Sequence, residues 1–502
     1  MNRRQFLKST AATAVVVAFA RPGYGASPRP LPEATAQKLP RWRGFNLLEK
    51  FRLDGGNKPF VEQDFEMIAG WGFNFVRLPM DFRCWAKTPE AEFNEQTMKE
   101  IDQAVAWGKA YGIHVCINFH RGPGYCVNMR GSEKPTLWTE TAAQEQFARH
   151  WGVFAARYQW VPNRELSFNL INEPADITGD VYAAAMKPAV AAIHAADPQR
   201  LIIADGIRWG TKPVPELVTL GIAQSTRGYE PGMLSHYKAN WVRHEGPWAM
   251  PVWPVPVGIN NHLYGDIKPE FKSALVLRAD CPQATPFSIR IGRVSSSAEL
   301  LVKADGTVVL QKLFKPAPGV GEWKKSEKTS WGGYIADYDC DYTATIPAGT
   351  REIQIEIAKG DWLTFTELRL GENVIVPASN DWGVKQETFT VDHSGARPVN
   401  PRYLHSKETL QKKMIEPWQT LAAQRVGVHV GEWGSHNQTP HAVALAWMRD
   451  CLQNWQTAGF GWALWNLRGF FGVLDSERKD VAYEAFKGHK FDRKMLELLQ
   501  QY

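Results

Sequence analysis

The sequence contains no His-Glu-x-x-His and no Gly-x-Ser-x-Gly, the spacings that place a zinc site on a helix or a serine nucleophile on a strand-to-helix turn. A metal-dependent hydrolase and a serine esterase therefore lack their marks. The six cysteines, at positions 84, 116, 126, 281, 340 and 451, include no Cys-x-x-Cys and no even spacing, which speaks against a zinc framework or a disulfide scaffold. Buried free thiols are the simplest expectation; pairings of Cys281 with Cys340 and of Cys116 with Cys126 stay open. There is no block of like charge: of the net +6, half comes from Arg3, Arg4 and Lys8. Without a basic stripe, nucleic acid is not an expected partner. The N-terminal apolar run, 11–20, is about half of what a bilayer span needs, so no membrane anchor is expected after processing.

What the chain has in quantity is tryptophan, 21 copies among 502 residues. Flat indole faces stack on sugar rings, and they also fill barrel cores. Hydrophobic residues at 44% and charged residues at 22% give the balance of a globular protein, and the length allows two or three domains. Residues Asn2-Arg3-Arg4-Gln5-Phe6-Leu7-Lys8, followed by the apolar run and Arg21-Pro22-Gly23, resemble a bacterial twin-arginine export signal. That signal would occupy 1–26, with cleavage after Ala20, Gly25 or Ala26 left open, and a Pro/Ala-rich linker would occupy 27–41. The mature chain is accordingly expected in the periplasm or outside the cell, as a monomer.

From Trp42 onward short apolar runs alternate with amphipathic stretches. The runs 44–48, 73–79, 113–120, 166–172, 201–205, 222–229, 426–432 and 461–466 show little polar alternation, as parallel strands buried on both faces do. Helical patterns fall at 62–70, 96–111, 141–158, 180–195, 214–220, 407–424, 442–457 and 492–501. Eight strand–helix repeats predict an α/β fold, a (β/α)8 TIM barrel, in two parts, 42–257 and 386–502. The gap between Tyr229 and Lys407 far exceeds an ordinary loop. Its middle carries alternating runs such as 274–278, 287–291, 300–303 and 351–357, split by Asp-Gly, Pro-Gly and Gly-Gly turns. These predict an all-β sandwich domain at 258–385, inserted after barrel strand six.

In such a barrel the active site collects side chains from the C-terminal ends of the strands. Those ends present Arg77, His120, Asn172 with Glu173, Tyr229, Glu432 and Trp465. Glu173 closes one apolar run and is followed by Pro174; Glu432 closes another, before Trp433. A carboxylate at a buried strand end is costly unless it is paired or used. Taken singly, each glutamate fits a helix cap or salt bridge as well; as a pair on strands four and seven they fit the two-carboxylate cleavage of a glycosidic bond. Arg77 would sit beside Glu432 and orient it, with a plain salt bridge as the bland alternative. His120 would contact a sugar hydroxyl or simply be a satisfied core histidine. Asn172 suits the 2-hydroxyl of the sugar, and Trp465 a stacking floor or core filling. Trp85, Tyr125, Trp138 and Trp209 are weaker subsite candidates.

Together these pieces resemble glycoside hydrolase family five, the cellulase-like family of clan A. They are Arg43-Gly44-Phe45-Asn46, Asn74 to Pro79, Asn118-Phe119-His120, Asn172-Glu173-Pro174, Gly431-Glu432-Trp433-Gly434 and Trp462 to Trp465, spread over roughly 42–250 and 400–500. The resemblance implies a retaining β-glycoside hydrolase with Glu173 as acid/base and Glu432 as nucleophile. It also implies Arg77, His120, Asn172 and Trp465 at the catalytic subsite, a β-linked glucan or mannan-type substrate, and no metal or organic cofactor. On the sixth strand the family presents His-x-Tyr, whereas this chain has Arg227-Gly228-Tyr229, so arginine stands for histidine. His262-Leu263-Tyr264 matches the pair literally but lies where the inserted domain begins. Two other readings share the same residues: a non-catalytic carbohydrate-binding barrel, and a transglycosylase in which a sugar replaces water.

Overall fold

The computed structural model describes residues 30–128, 134–242, 248–391 and 398–502, so the expected export signal lies outside the described residues. The described chain divides into two compact units: one formed by residues up to Ala249 together with Gln411–Tyr502, the other by Met250–Leu410.

The first unit is a closed parallel barrel. Its strands are β1 (Arg43–Asn46), β2 (Phe75–Asp81), β3 (His114–Gly122), β4 (Leu166–Asn169), β5 (Ile202–Asp205), β6 (Ala223–Gly228), β7 (Val428–Trp433) and β8 (Gly461–Leu464). Each pairs in parallel with its successor, and β1 pairs with both β2 and β8, which closes the ring. Nearly every strand residue is buried, which is why the runs read as continuous rather than alternating.

Local chemistry explains the helices between strands. The helix Glu95–Tyr111 starts at Asn94, whose side chain accepts from the Thr97 amide, and stops at Gly112 in the left-handed region at φ 66°. The stretch 214–220, expected as an α-helix, is a 3-10 helix over Pro215–Leu220 because Pro215 opens it and Gly221 ends it within two turns. The expected helix at 407–424 forms with one interruption: a π-turn over Gln411–Ile415 separates the helical turn Lys407–Leu410 from the helix Glu416–Ala423. Pro417, near the start of that helix, has no amide proton for the preceding turn.

Trp42, Trp85, Trp151, Trp418, Trp433, Trp447 and Trp462 are fully buried. Much of the tryptophan is therefore core, and Trp85 is core rather than a subsite. The six cysteines are free thiols, five of them buried.

The second unit contains a five-stranded sheet, ordered Thr307–Phe314, Ala298–Ala304, Thr350–Gly360, Leu275–Cys281 and Thr388–Thr390. A second sheet runs Lys325–Lys328, Tyr334–Ile346, Thr285–Ser295, Trp362–Leu370 and Asn373–Ile375, and His262–Tyr264 also pairs with Trp362–Leu370. Leu277, Leu300 and Ile355 of the first sheet and Ile289, Tyr338 and Phe365 of the second belong to one buried apolar cluster.

Candidate active site

The strand ends converge on a buried cluster of charge. Arg77, on β2 and 1% exposed, donates from Nη1 to Oε1 of Glu432 at 2.6 Å. Its remaining donors reach Asn46 Oδ1 at 3.0 Å, Asn169 Oδ1 at 2.9 Å and Asn172 Oδ1 at 2.8 Å. Four acceptors from β1, β4, the segment after β4, and β7 thus fix one guanidinium, whose planar fork suits such a cage.

Glu173 lies four residues beyond the end of β4, not within a strand. Its φ of 48° is unusual for a residue with a side chain. The conformation is clamped on both sides: its amide donates to Asp205 Oδ2 at 3.0 Å, and its carbonyl accepts from the Tyr125 hydroxyl at 2.8 Å. That contact gives Tyr125 a positioning task at the site. Burial, and then the negative charge of Glu432, push the Glu173 carboxyl up to about 8, while Arg227 pulls the other way. Near neutral pH Glu173 therefore holds a proton.

Arg227, 2% exposed at the end of β6, lies between the two glutamates. Its Nε donates to Glu173 Oε1 at 2.8 Å and its Nη2 to Glu432 Oε1 at 3.2 Å. The same Nη2 donates to Asn172 Oδ1 at 2.9 Å and to Asp205 Oδ2. One guanidinium touches both carboxylates, so the pair shares one rim of the ring.

Tyr229, just past β6, directs its hydroxyl to Glu432 Oε2 at 3.4 Å. Burial and the two glutamates hold that phenol protonated. Tyr264, the literal alternative, lies in the second unit, where its hydroxyl accepts from the Gly383 amide at 2.6 Å. Asn172 is buried, and its Nδ2 has no partner among the described residues although both arginines use its Oδ1. His120 Nε2 lies 3.2 Å from Asn128 Nδ2, and its buried Nδ1 has no partner either. Burial, then the charges of Arg77 and Arg227, keep the imidazole neutral. Trp465 follows β8, partly exposed, with Phe51 edge-on at 5.4 Å and His120 at 5.8 Å. Beside Glu173 a cavity of about 520 Å³ is walled by Asn128, Trp209, His236, Trp241 and Trp248.

Three buried members of the cluster, Asn46, Asn169 and Asp205, were not among the expected site residues. Asn46 and Asp205 end β1 and β5, and Asp205 closes the apolar run 201–204 as Glu432 closes its own. The strand-end rule therefore carries a signal for Asp205, which ends the expected run 201–205, but none for Asn46, which lies inside the expected run 44–48. Asn169 gave none, since it sits inside the run 166–172.

A closed (β/α)8 ring with two glutamates, two arginines and an aspartate interlocked at its strand ends defines a barrel protein with a paired-carboxylate centre. Comparison with known proteins agrees on the barrel. Residues 33–226 match the family model for cellulase, glycosyl hydrolase family 5, and residues 1–20 match the twin-arginine translocation pathway signal sequence. Endoglucanase C of Acetivibrio thermocellus is 28% identical over 187 residues, which is 36% of this chain and 53% of that protein. A probable glucan 1,3-beta-glucosidase A of Emericella nidulans is 28% identical over 120 residues, 24% of this chain and 30% of that protein. The chain spans about half the length of the curated relatives it first matches. A crystal structure described as a glycoside hydrolase is similar at 25% identity and TM-score 0.59, covering 92% of this chain and 99% of that one. Endoglucanase Cel5A of Thermotoga maritima shares the fold at 15% identity and TM-score 0.51, over 91% of this chain and 96% of that one. Over residues 33–226 the chain is similar to the cellulases of glycosyl hydrolase family 5. Its N-terminal signal supports export, and no helix among the described residues is long and apolar enough to cross a membrane.

Proposed function

We propose that this protein hydrolyses β-glycosidic bonds of glucan- or mannan-type chains, in two steps and with retention of configuration. The observation that carries the reading is the contrast between two neighbouring carboxyls: Glu173 is pushed up to about 8, whereas Glu432 accepts from two guanidinium groups and one phenol. One is set up to give a proton and the other to supply negative charge.

In the first step the Glu173 proton passes to the glycosidic oxygen as the bond from the anomeric carbon to that oxygen breaks. The electron pair leaves with the departing alcohol, and a Glu432 oxygen bonds to the anomeric carbon. In the second step a water gives a proton to the Glu173 carboxylate and its oxygen bonds to the anomeric carbon. The ester bond to Glu432 breaks and restores both side chains. A retaining pair needs carboxyl groups about 5–5.5 Å apart, and a shared guanidinium suits that closeness. Asn172 Nδ2 and His120 offer donors to sugar hydroxyls, and the Trp465 face offers a platform for a sugar ring.

The test is assay of the purified protein on β-glucan, β-mannan and aryl β-glycosides beside Glu432→Gln, with product stereochemistry followed by NMR. Activity lost by about 10³-fold or more in the variant, and retained configuration, are expected. Inverted product, or full activity in the variant, overturns the reading.

A further inference from the structure

We infer that Arg227 is a positioning residue for the second half of the reaction, the bridge that keeps Glu173 ready to act as a base while the sugar is bound to Glu432. This rests on the two-step reading above and goes beyond it, because nothing in that mechanism requires a cation between the carboxylates.

The geometry carries the argument. The Arg227 guanidinium is tied to Glu173 Oε1, Glu432 Oε1, Asn172 Oδ1 and Asp205 Oδ2, and its Nη1 is within 3.2 Å of Ser225 Oγ and of the Thr226 carbonyl oxygen. Every one of its nitrogens is therefore engaged within the protein, so the group is a fixed part of the site rather than a sugar ligand. Glu173 Oε1 receives the Nε–H, which leaves Oε2 as the oxygen that carries and gives the proton.

Charge counting shows what the bridge does. Arg77 and Arg227 face Asp205, Glu432 and Glu173. Before reaction, with Glu173 protonated, the two cations balance Asp205 and Glu432. Once Glu432 is esterified its charge is gone, and the cluster is neutral again only when Glu173 is ionised, the form that accepts a proton from water. Tyr125, Tyr182 and Tyr229 interact electrostatically with this cluster, His120 with its two arginines, and His236 lines the cavity beside Glu173; desolvation keeps all five rings uncharged. A buried cluster disfavours net charge. Replacing Arg227 by a neutral side chain leaves the ester state one cation short, so Glu173, having given its proton away in the first step, takes one up again from solvent and water attack slows. The first step needs that proton and is spared.

The experiment compares wild type, Arg227→Gln and Arg227→Lys on an aryl β-glycoside with an acidic phenol. Stopped-flow phenol release, KM, kcat and their pH profiles are measured, with thermal unfolding alongside. For Arg227→Gln the expectation is a burst of one phenol per enzyme, kcat down by about 10²-fold, and KM down in parallel so that kcat/KM is nearly kept. Its kcat is expected to recover as pH rises and Glu173 loses its proton. Arg227→Lys keeps a cation at a single point; a smaller loss with the same burst is expected, and it carries the measurement should the Gln variant fail to fold. Equal loss of kcat and kcat/KM without a burst, in whichever variants fold, overturns the inference. A separate control labels wild type with a 2-fluoro-sugar aryl glycoside: no adduct on Glu432 sinks the two-step reading itself, whereas an adduct with no burst sinks only the role of Arg227.

Discussion

Arg77 Nη1 and Glu432 Oε1 meet at 2.6 Å across 355 positions of sequence, from the second barrel strand to the seventh. Both side chains are almost wholly buried, at 1% and 4% exposure. A buried pair of this kind is costly to desolvate and tolerable only when further hydrogen bonds complete it. Here Asn46, Asn169 and Asn172 complete the arginine, and Arg227 and Tyr229 complete the glutamate.

The pH profile follows from Glu173. Its carboxyl is raised in the folded site, to about 8, so the proton needed for the first step is held below that pH and lost above it. The value of kcat/KM on a glycan should be flat through neutrality and fall tenfold per pH unit well above 8. An alkaline limb that begins near pH 5 contradicts this.

Asp205→Asn should move that limb. Asp205 raises Glu173 by its charge, so a neutral amide lets Glu173 ionise at lower pH and shifts the alkaline fall downward. The variant also strips Arg227 of a buried counter-charge, for which a loss of about 3–5 kcal/mol in unfolding free energy is expected. Denaturant titration and the pH–rate profile read the two effects separately.

Glu173→Ala should discriminate between leaving groups. A sugar alcohol needs the proton and an acidic phenol does not. Hydrolysis of oligosaccharides should drop by about 10²–10⁴-fold in kcat/KM while release of an acidic phenol in the first step drops far less. Equal losses on both substrates argue against Glu173 as the acid.

The two tyrosines allow a clean contrast. Tyr229→Phe removes one 3.4 Å contact to Glu432 and should lower kcat by about tenfold with little change in melting temperature. Tyr264→Phe leaves the Gly383 amide without its acceptor and should cost stability but not turnover. Steady-state kinetics and thermal melts of both variants decide it.

Gly44→Ala tests barrel closure. A Cβ at position 44 would lie 1.7 Å from the Phe75 carbonyl oxygen, on the partner strand that pairs with Gly44. Backbone must move, and an unfolding free energy lowered by about 1–3 kcal/mol or more is expected in chemical denaturation.

The barrel was legible because each of its strands announces itself locally. The run 113–120 is largely apolar and became β3, and 426–432 became β7, each within a few residues of its expected ends. In the second unit the alternation in 300–303 became a strand with alternating buried and partly exposed residues. The expected helix at 407–424 is helical from Lys407 to Ala423 but is interrupted by a π-turn just before the proline it contains, a signal present in the sequence and outweighed by the apolar spacing around it.

By itself the sequence determined the period of the barrel strands and several of the polar residues at or just past their ends, since both follow from backbone sterics and from the cost of burying a polar group over a few neighbouring positions. It thereby marked Glu173 and Glu432. Only the tertiary structure decided that Arg227 would touch both, and that Asp205, Asn46 and Asn169 would complete the charge cluster. Those contacts join strands that are neighbours only once the ring closes, so no local pattern encodes them. What looked like a substitution on strand six is, in the folded barrel, the cation on which both carboxylates rest.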